Sequence, residues 1–154
     1  MKVAGKDVFY VALQILLFFT FLLNVELFSF EINVFIEIIS VAIGIIGLAL
    51  IIIAFFQLNK NLSPFPTPVE SARLLTNGVF KLMRHPIYTG ILLIFFSIAV
   101  FQGSAYRILI SALLLILFYF KTLYEEKKLA EKFPEYEAYK KNTGRFLPKI
   151  KIRS

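Results

Sequence analysis

The sequence predicts an all-α integral membrane protein: four transmembrane helices, two of them forming a helical hairpin, followed by a cytoplasmic amphipathic carboxyl-terminal helix. Three observations predict it. Of 154 residues, 58% are hydrophobic and 18 are Phe, and the mean hydropathy is +0.77, whereas soluble domains average roughly 45–50% apolar residues even with glycine included. Charged residues make up only 18% of the chain and gather between and after the apolar runs. The basic residues fall almost entirely on one side of those runs. This balance excludes an ordinary soluble domain, a disordered chain and a nucleic-acid binder of the usual basic kind. The absence of Cys excludes a disulfide framework, a thiol nucleophile and a thiolate metal site. A single histidine, His85, leaves no multi-histidine cage, so no metal is expected.

A spanning helix needs about 20 mostly apolar residues. The first such segment runs from about Val8 to Phe28, with Gln14, Thr20 and Asn24 as polar interruptions. The second, about Ile38 to Leu58, contains no charge. The third, about Ile87 to Phe101, is short. The fourth, about Ala105 to Leu123, keeps Arg107 and Lys121 near its ends, where long side chains are expected to snorkel to the interface. Only Gln102-Gly103-Ser104 separates the third from the fourth, which predicts a tight antiparallel hairpin. No small-residue cleavage site follows the first segment, so a cleaved signal peptide is not expected.

The chain reads as one domain of 154 residues: two transmembrane helices over 1–58, a cytoplasmic connector over 59–86, the hairpin over 87–123 and a cytoplasmic tail over 124–154. In the connector, Pro64, Pro66 and Pro68 alternate and favour extended backbone. In the tail, Glu125 to Lys141 has helical composition apart from Pro134. Leu129, Phe133, Tyr136 and Tyr139 step by four, three and three, which predicts one apolar face lying on the membrane or on the connector.

Orientation follows from the basic residues. Lys2 and Lys6 precede the first segment, and Lys60, Arg73, Lys81 and Arg84 lie between the second and third. Ten more run from Lys121 to Arg153, which leaves Arg107 alone on the far side. The loop after the first segment carries Glu26, Glu31 and Glu37. Both termini are therefore expected in the cytoplasm, with the chain in the cell (inner) membrane. The net charge of +7 reads as a topology signal and an attraction to anionic lipid, with no nucleic acid as partner.

The unusual polar residues gather at one face. Arg84-His85-Pro86-Ile87-Tyr88-Thr89-Gly90 opens the third segment, Glu125-Glu126 ends the fourth, and Arg145-Phe146-Leu147-Pro148 follows on the tail. Because a hairpin returns the chain to its starting side, an imidazole, a guanidinium, a phenol and two carboxylates converge there. Each also has a plainer reading: Arg84 as a positive-inside anchor, His85 as an interfacial cap before Pro86, Tyr88 as part of the aromatic belt, and Glu125-Glu126 as a solvated helical end. Together at one corner, under a proline-rich connector, they point to a ligand site.

The same blocks carry a family resemblance. Phe65-Pro66-Thr67-Pro68, then Leu74-Leu75-Thr76-Asn77-Gly78-Val79-Phe80, then Arg84 to Gly90 resemble the isoprenylcysteine carboxyl methyltransferase family. The resemblance resumes at Glu125-Glu126, Phe133, Glu135-Tyr136, Tyr139 and Arg145-Phe146-Leu147-Pro148, so it covers about residues 60 to 149. Membrane phospholipid methyltransferases share much of this pattern, and membrane sterol reductases are more distant relatives. The resemblance implies S-adenosylmethionine-dependent methyl transfer to a lipophilic small-molecule or prenylated substrate at the cytoplasmic membrane face, most like carboxyl methylation of an isoprenylcysteine-type substrate. It places Arg84, His85, Pro86, Tyr88, Gly90, Glu125 and Glu126 in the cofactor pocket and Arg145 on the substrate side. On that basis Arg145 and Glu126 are the candidate catalytic residues. The first 58 residues match nothing specific in it, and eukaryotic members have more transmembrane helices.

The residue chemistry stands beside the resemblance. Glu125 and Glu126 suit the cofactor's ammonium or ribose hydroxyls, and Arg84 and His85 suit its carboxylate. Gly90 permits close approach of the cofactor or of a neighbouring backbone. A carboxylate acceptor needs no general base, whereas an amine acceptor needs its proton removed, a task open to Glu126 or His85. Three alternatives remain at this stage: a phospholipid amine N-methyltransferase, a nicotinamide-dependent membrane reductase, and a small four-helix transporter. Oligomeric state is left open, with Gly44 and Gly47 available for helix contact.

Overall fold

Apolar runs of spanning length must close all their backbone hydrogen bonds internally, and helices are the way an open chain does so. The computed structural model describes residues 4–25, 28–58, 63, 65–68 and 72–149. Among these are six helices and no strand: α1 (Gly5–Leu22), α2 (Val34–Leu58), α3 (Val79–Leu82), α4 (Pro86–Phe101), α5 (Ala105–Lys132) and α6 (Tyr136–Asn142). Three of them, α1, α2 and α5, are long and apolar enough to cross a membrane, and α4 is a shorter apolar helix of 16 residues. Lys2, Glu26, Lys60, Pro64 and Arg153 of the sequence reading lie outside the described residues.

The boundaries differ from the expected ones in instructive ways. α1 stops at Leu22, six residues before the expected Phe28. The chain is already out of helix at Leu23 to Val25, where Asn24 is exposed. α2 begins four residues early, at Val34, with Asn33 accepting from the Ile36 N–H at 3.0 Å. The largest difference is α5, which continues past Leu123 to Lys132. At 1.5 Å per residue its 28 residues span about 42 Å against a hydrocarbon core of ~30 Å. Glu125 and Glu126 therefore sit inside a continuous helix and not at a solvated end. Pro134 splits the expected 125–141 helix, and α6 restarts at Tyr136.

α2 packs along α4, α4 along α5, and α5 along α1. At one end of the bundle the Phe30 N–H donates to the Gly103 carbonyl (2.9 Å) and the Ala105 N–H to the Phe28 carbonyl (3.1 Å), which ties the α1–α2 loop to the expected tight α4–α5 turn. Gly103 turns there at φ +56°, with the Phe30 carbonyl where a Cβ would stand. The connector, α3, α6 and the tail all lie at the opposite end, which is where the site forms.

The α2–α4 seam rests on two glycines. A Cβ at Gly90 would fall 2.5 Å from the Gly47 carbonyl oxygen, and one at Gly47 would fall 2.7 Å from the Gly90 carbonyl oxygen. Gly90 thus serves backbone approach between helices, the second of its two expected uses. Replacing Gly90 with Val is expected to force the helices apart and cost about 1–3 kcal/mol. A thermal midpoint in detergent equal to that of the unchanged protein would contradict this.

Candidate functional site

The tail reaches the start of α4 through backbone pairing. Met83 and Gly144 form a parallel bridge, the Arg84 N–H donates to the Gly144 carbonyl (2.9 Å), and the His85 N–H donates to the Arg145 carbonyl (3.1 Å). Thr89 Oγ1 adds a bond to the Phe146 carbonyl at 2.9 Å. These contacts bring Arg145 beside Arg84 and His85, 60 residues earlier in the sequence.

Glu126 is the centre of that junction. Arg84 donates to its Oε1 from Nε (3.0 Å) and Nη2 (2.8 Å). Arg145 donates from Nε to Oε1 (3.1 Å) and from Nη2 to Oε2 (3.0 Å). His85 Nε2 lies 3.2 Å from Oε1, and Lys140 Nζ lies 3.8 Å from Oε2. Both oxygens of a carboxylate that is only 2% exposed are thereby engaged. Arg84 also donates to the carbonyls of Lys140 and Thr143, so a single guanidinium joins α4, α5 and α6. Two arginines and a lysine around one acid leave this corner net positive.

Glu125 lies one residue earlier and about 100° around the helix, on a different face. It lines a cavity of about 350 Å³, within the usual range of small-molecule sites. The Tyr88 hydroxyl donates to Glu125 Oε2 at 3.0 Å. Arg84, His85, Pro86 and Tyr88 line the same cavity, whereas Glu126, Gly90 and Arg145 do not. Arg145 instead stacks over the Tyr119 ring at 4.9 Å, on the outer side of α5.

The remaining walls come from the connector and the tail. Phe65, Pro66, Leu74 and Leu75 face Leu129, Phe133, Tyr136 and Tyr139 across the space. The apolar stepping of the tail therefore turns toward the connector, one of its two expected partners. The Tyr139 hydroxyl donates to the Phe80 carbonyl at 2.5 Å, and burial pushes its phenol up to about 12. Burial raises Tyr136 further still, so both phenols stay protonated at neutral pH.

Three functional groups were missed from the sequence. Lys121 does not snorkel outward: it is 1% exposed, donates to Gln14 Oε1 at 2.7 Å and sits 5.1 Å above the Tyr88 ring. Packing of α1 against α5 turns it inward, and both Lys121 and Gln14 line the cavity. The available signal was the four-residue spacing of Lys121, Glu125 and Leu129, which places all three on one face of α5. Asp7, fully buried, accepts from the Thr67 hydroxyl at 2.7 Å and from the Ala4 N–H at 3.0 Å, so it fastens the connector to α1.

Chemically, the cavity offers a carboxylate and a basic corner under apolar and aromatic walls. That set suits a zwitterionic ligand with an uncharged ring system. The comparison with curated proteins finds no match. The phospholipid methyltransferase family model matches residues 35–136. The match starts near the beginning of α2, well before residue 60 where the resemblance to isoprenylcysteine methyltransferases begins, and it ends at the first residue of α6. It covers the connector and the helical hairpin whole, about two thirds of the chain. The chain belongs to the phospholipid methyltransferase family.

Proposed function

We propose that this integral membrane protein transfers a methyl group from S-adenosylmethionine to a lipophilic acceptor at the cytoplasmic face. The observation that carries the proposal is the placement of Glu125 in the cavity wall beside a net-positive corner. When bound, S-adenosylmethionine supplies an electrophilic methyl on a sulfonium, along with an ammonium, a carboxylate and an adenine ring. The donor set fits each part. Glu125, oriented by Tyr88, accepts from the ammonium. Arg84 and His85 face the carboxylate from the positive corner. Leu74, Leu75, Phe80 and Phe133 give the ring apolar walls.

The remaining site residues take supporting roles in this proposal. Glu126 positions Arg84, His85 and Arg145, because its oxygens are already engaged by them. Pro86 starts α4 at the angle that aims Tyr88 into the cavity. Arg145, 18% exposed on the outer side, meets the acceptor as it arrives from the membrane surface. No protein nucleophile is needed, since the reaction is an in-line displacement that depends on holding acceptor and methyl in near-attack geometry. The acceptor is either the carboxylate of an isoprenylcysteine-type lipid or the amine of a phospholipid. The second is favoured by the family match.

Incubation of purified protein with methyl-labelled cofactor and a membrane extract tests this. Label is expected in the lipid fraction; label in no fraction would refute it. We further propose that residues 1–154 form one domain with both ends cytoplasmic, because 16 of 17 basic residues lie on one side. Reporter fusions at residues 30 and 154 should report opposite sides of the membrane.

A further inference from the structure

We infer that Lys121 and Gln14 form the acceptor subsite at the inner end of the cavity, and that this subsite recognises an oxyanion. The inference rests on the cofactor reading above and deepens it. Lys121 lies on the part of α5 that crosses the membrane, where a buried ammonium is costly and marks function. It is held in the cavity wall by Gln14 Oε1 at 2.7 Å and by the face of Tyr88 at 5.1 Å. Lys121 precedes Glu125 by four residues of α5, and Gln14 meets it from α1, which packs along α5 and also touches α4 where Phe18 and Phe21 lie against Phe95 (5.0 and 4.3 Å). The pair therefore sits one helical turn inward from Glu125, away from the basic corner that faces the cofactor's carboxylate. The carboxamide of Gln14 also carries N–H donors, so the two side chains form an anion-binding pair.

The acceptor class follows from the Lys121 ammonium. Glu125 and Asp7 are carboxylates whose charges act on Lys121. In the reading above Glu125 turns to the cofactor's ammonium, which leaves Lys121 to meet a second anion. A carboxylate or a phosphate of the acceptor answers it there, whereas a protonated amine placed against Lys121 is repelled.

Calorimetry on the full chain in detergent tests this without turnover. Sinefungin, which carries an amine where the cofactor carries its sulfonium, fills the cofactor site. The probes are acetylated S-farnesylcysteine, its uncharged methyl ester, dihexanoyl phosphatidylethanolamine and farnesylamine. The free acid is expected to bind about tenfold or more tighter than the ester. Lys121→Met should abolish that advantage and leave sinefungin affinity within about twofold. A Lys121-dependent phosphatidylethanolamine, with acid and ester alike, would identify the oxyanion as a head-group phosphate. Acid and ester binding alike with no Lys121-dependent phospholipid, or farnesylamine binding tightest, would overturn the inference. So would a Lys121→Met variant that loses sinefungin as strongly as the acid. Gln14→Leu provides the same comparison if Lys121→Met does not fold. If wild-type protein binds neither sinefungin nor S-adenosylmethionine, the cofactor reading itself fails and the inference falls with it.

Discussion

Glu126→Ala is expected to lower the stability of the folded protein by about 3–5 kcal/mol, the usual cost of removing one partner from a buried charge cluster. The substitution leaves Arg84, 8% exposed, and Arg145 without their shared acceptor. It also releases the link between α5 and the 143–146 segment, since four of the hydrogen bonds to Glu126 come from those two guanidinium groups. The thermal midpoint in detergent should fall, and the tail should become more open to protease. Glu126→Asp shortens the side chain without removing the charge, so it should fall between the two. If Glu126→Ala kept its midpoint and lost only ligand affinity, Glu126 would be a ligand contact and not the holder of the corner.

The neighbouring glutamate should behave in the opposite way. Glu125→Ala is expected to weaken S-adenosylmethionine binding roughly ten- to a hundredfold, from the ~1.5–3 kcal/mol of a shielded charge-assisted hydrogen bond. Its midpoint should fall less than that of Glu126→Ala, because Glu125 loses one hydrogen bond, from Tyr88, where Glu126 loses the bonds of two guanidinium groups. Lys127, exposed on the next face of α5, provides the control: Lys127→Ala should leave both quantities unchanged. Two adjacent carboxylates, one read out by stability and the other by affinity, separate the supporting role from the binding role.

This separation was not legible in the sequence. The Arg84–Gly90 block, Glu125-Glu126 and Arg145 were all identifiable as residues that a hairpin would bring to one end, and the structure does bring them together. Which glutamate faces inward depends on the rotation of α5 about its axis. Packing against α1 and α4 sets that rotation; the spacing of Lys121, Glu125 and Leu129 groups them on one face without recording which way that face turns. The same reason hid Lys121: a long side chain near a helix end can reach outward or fold inward, and only Gln14 on another helix decides between them. Asp7 was invisible because its partner, Thr67, is 60 residues away. Helix existence was clear from hydropathy. Helix ends were less so, because polar and charged residues continue α5 well past the apolar run while α1 stops before its own run ends.

The central claim is that the cavity beside Glu125 holds S-adenosylmethionine, and one titration tests it most directly. Purified wild-type protein is titrated with S-adenosylmethionine and, separately, with a reduced nicotinamide dinucleotide. The account predicts saturable one-site binding of the first, competed by S-adenosylhomocysteine and weakened by Glu125→Ala, and no binding of the second. Binding of the nicotinamide cofactor with none of S-adenosylmethionine would contradict it.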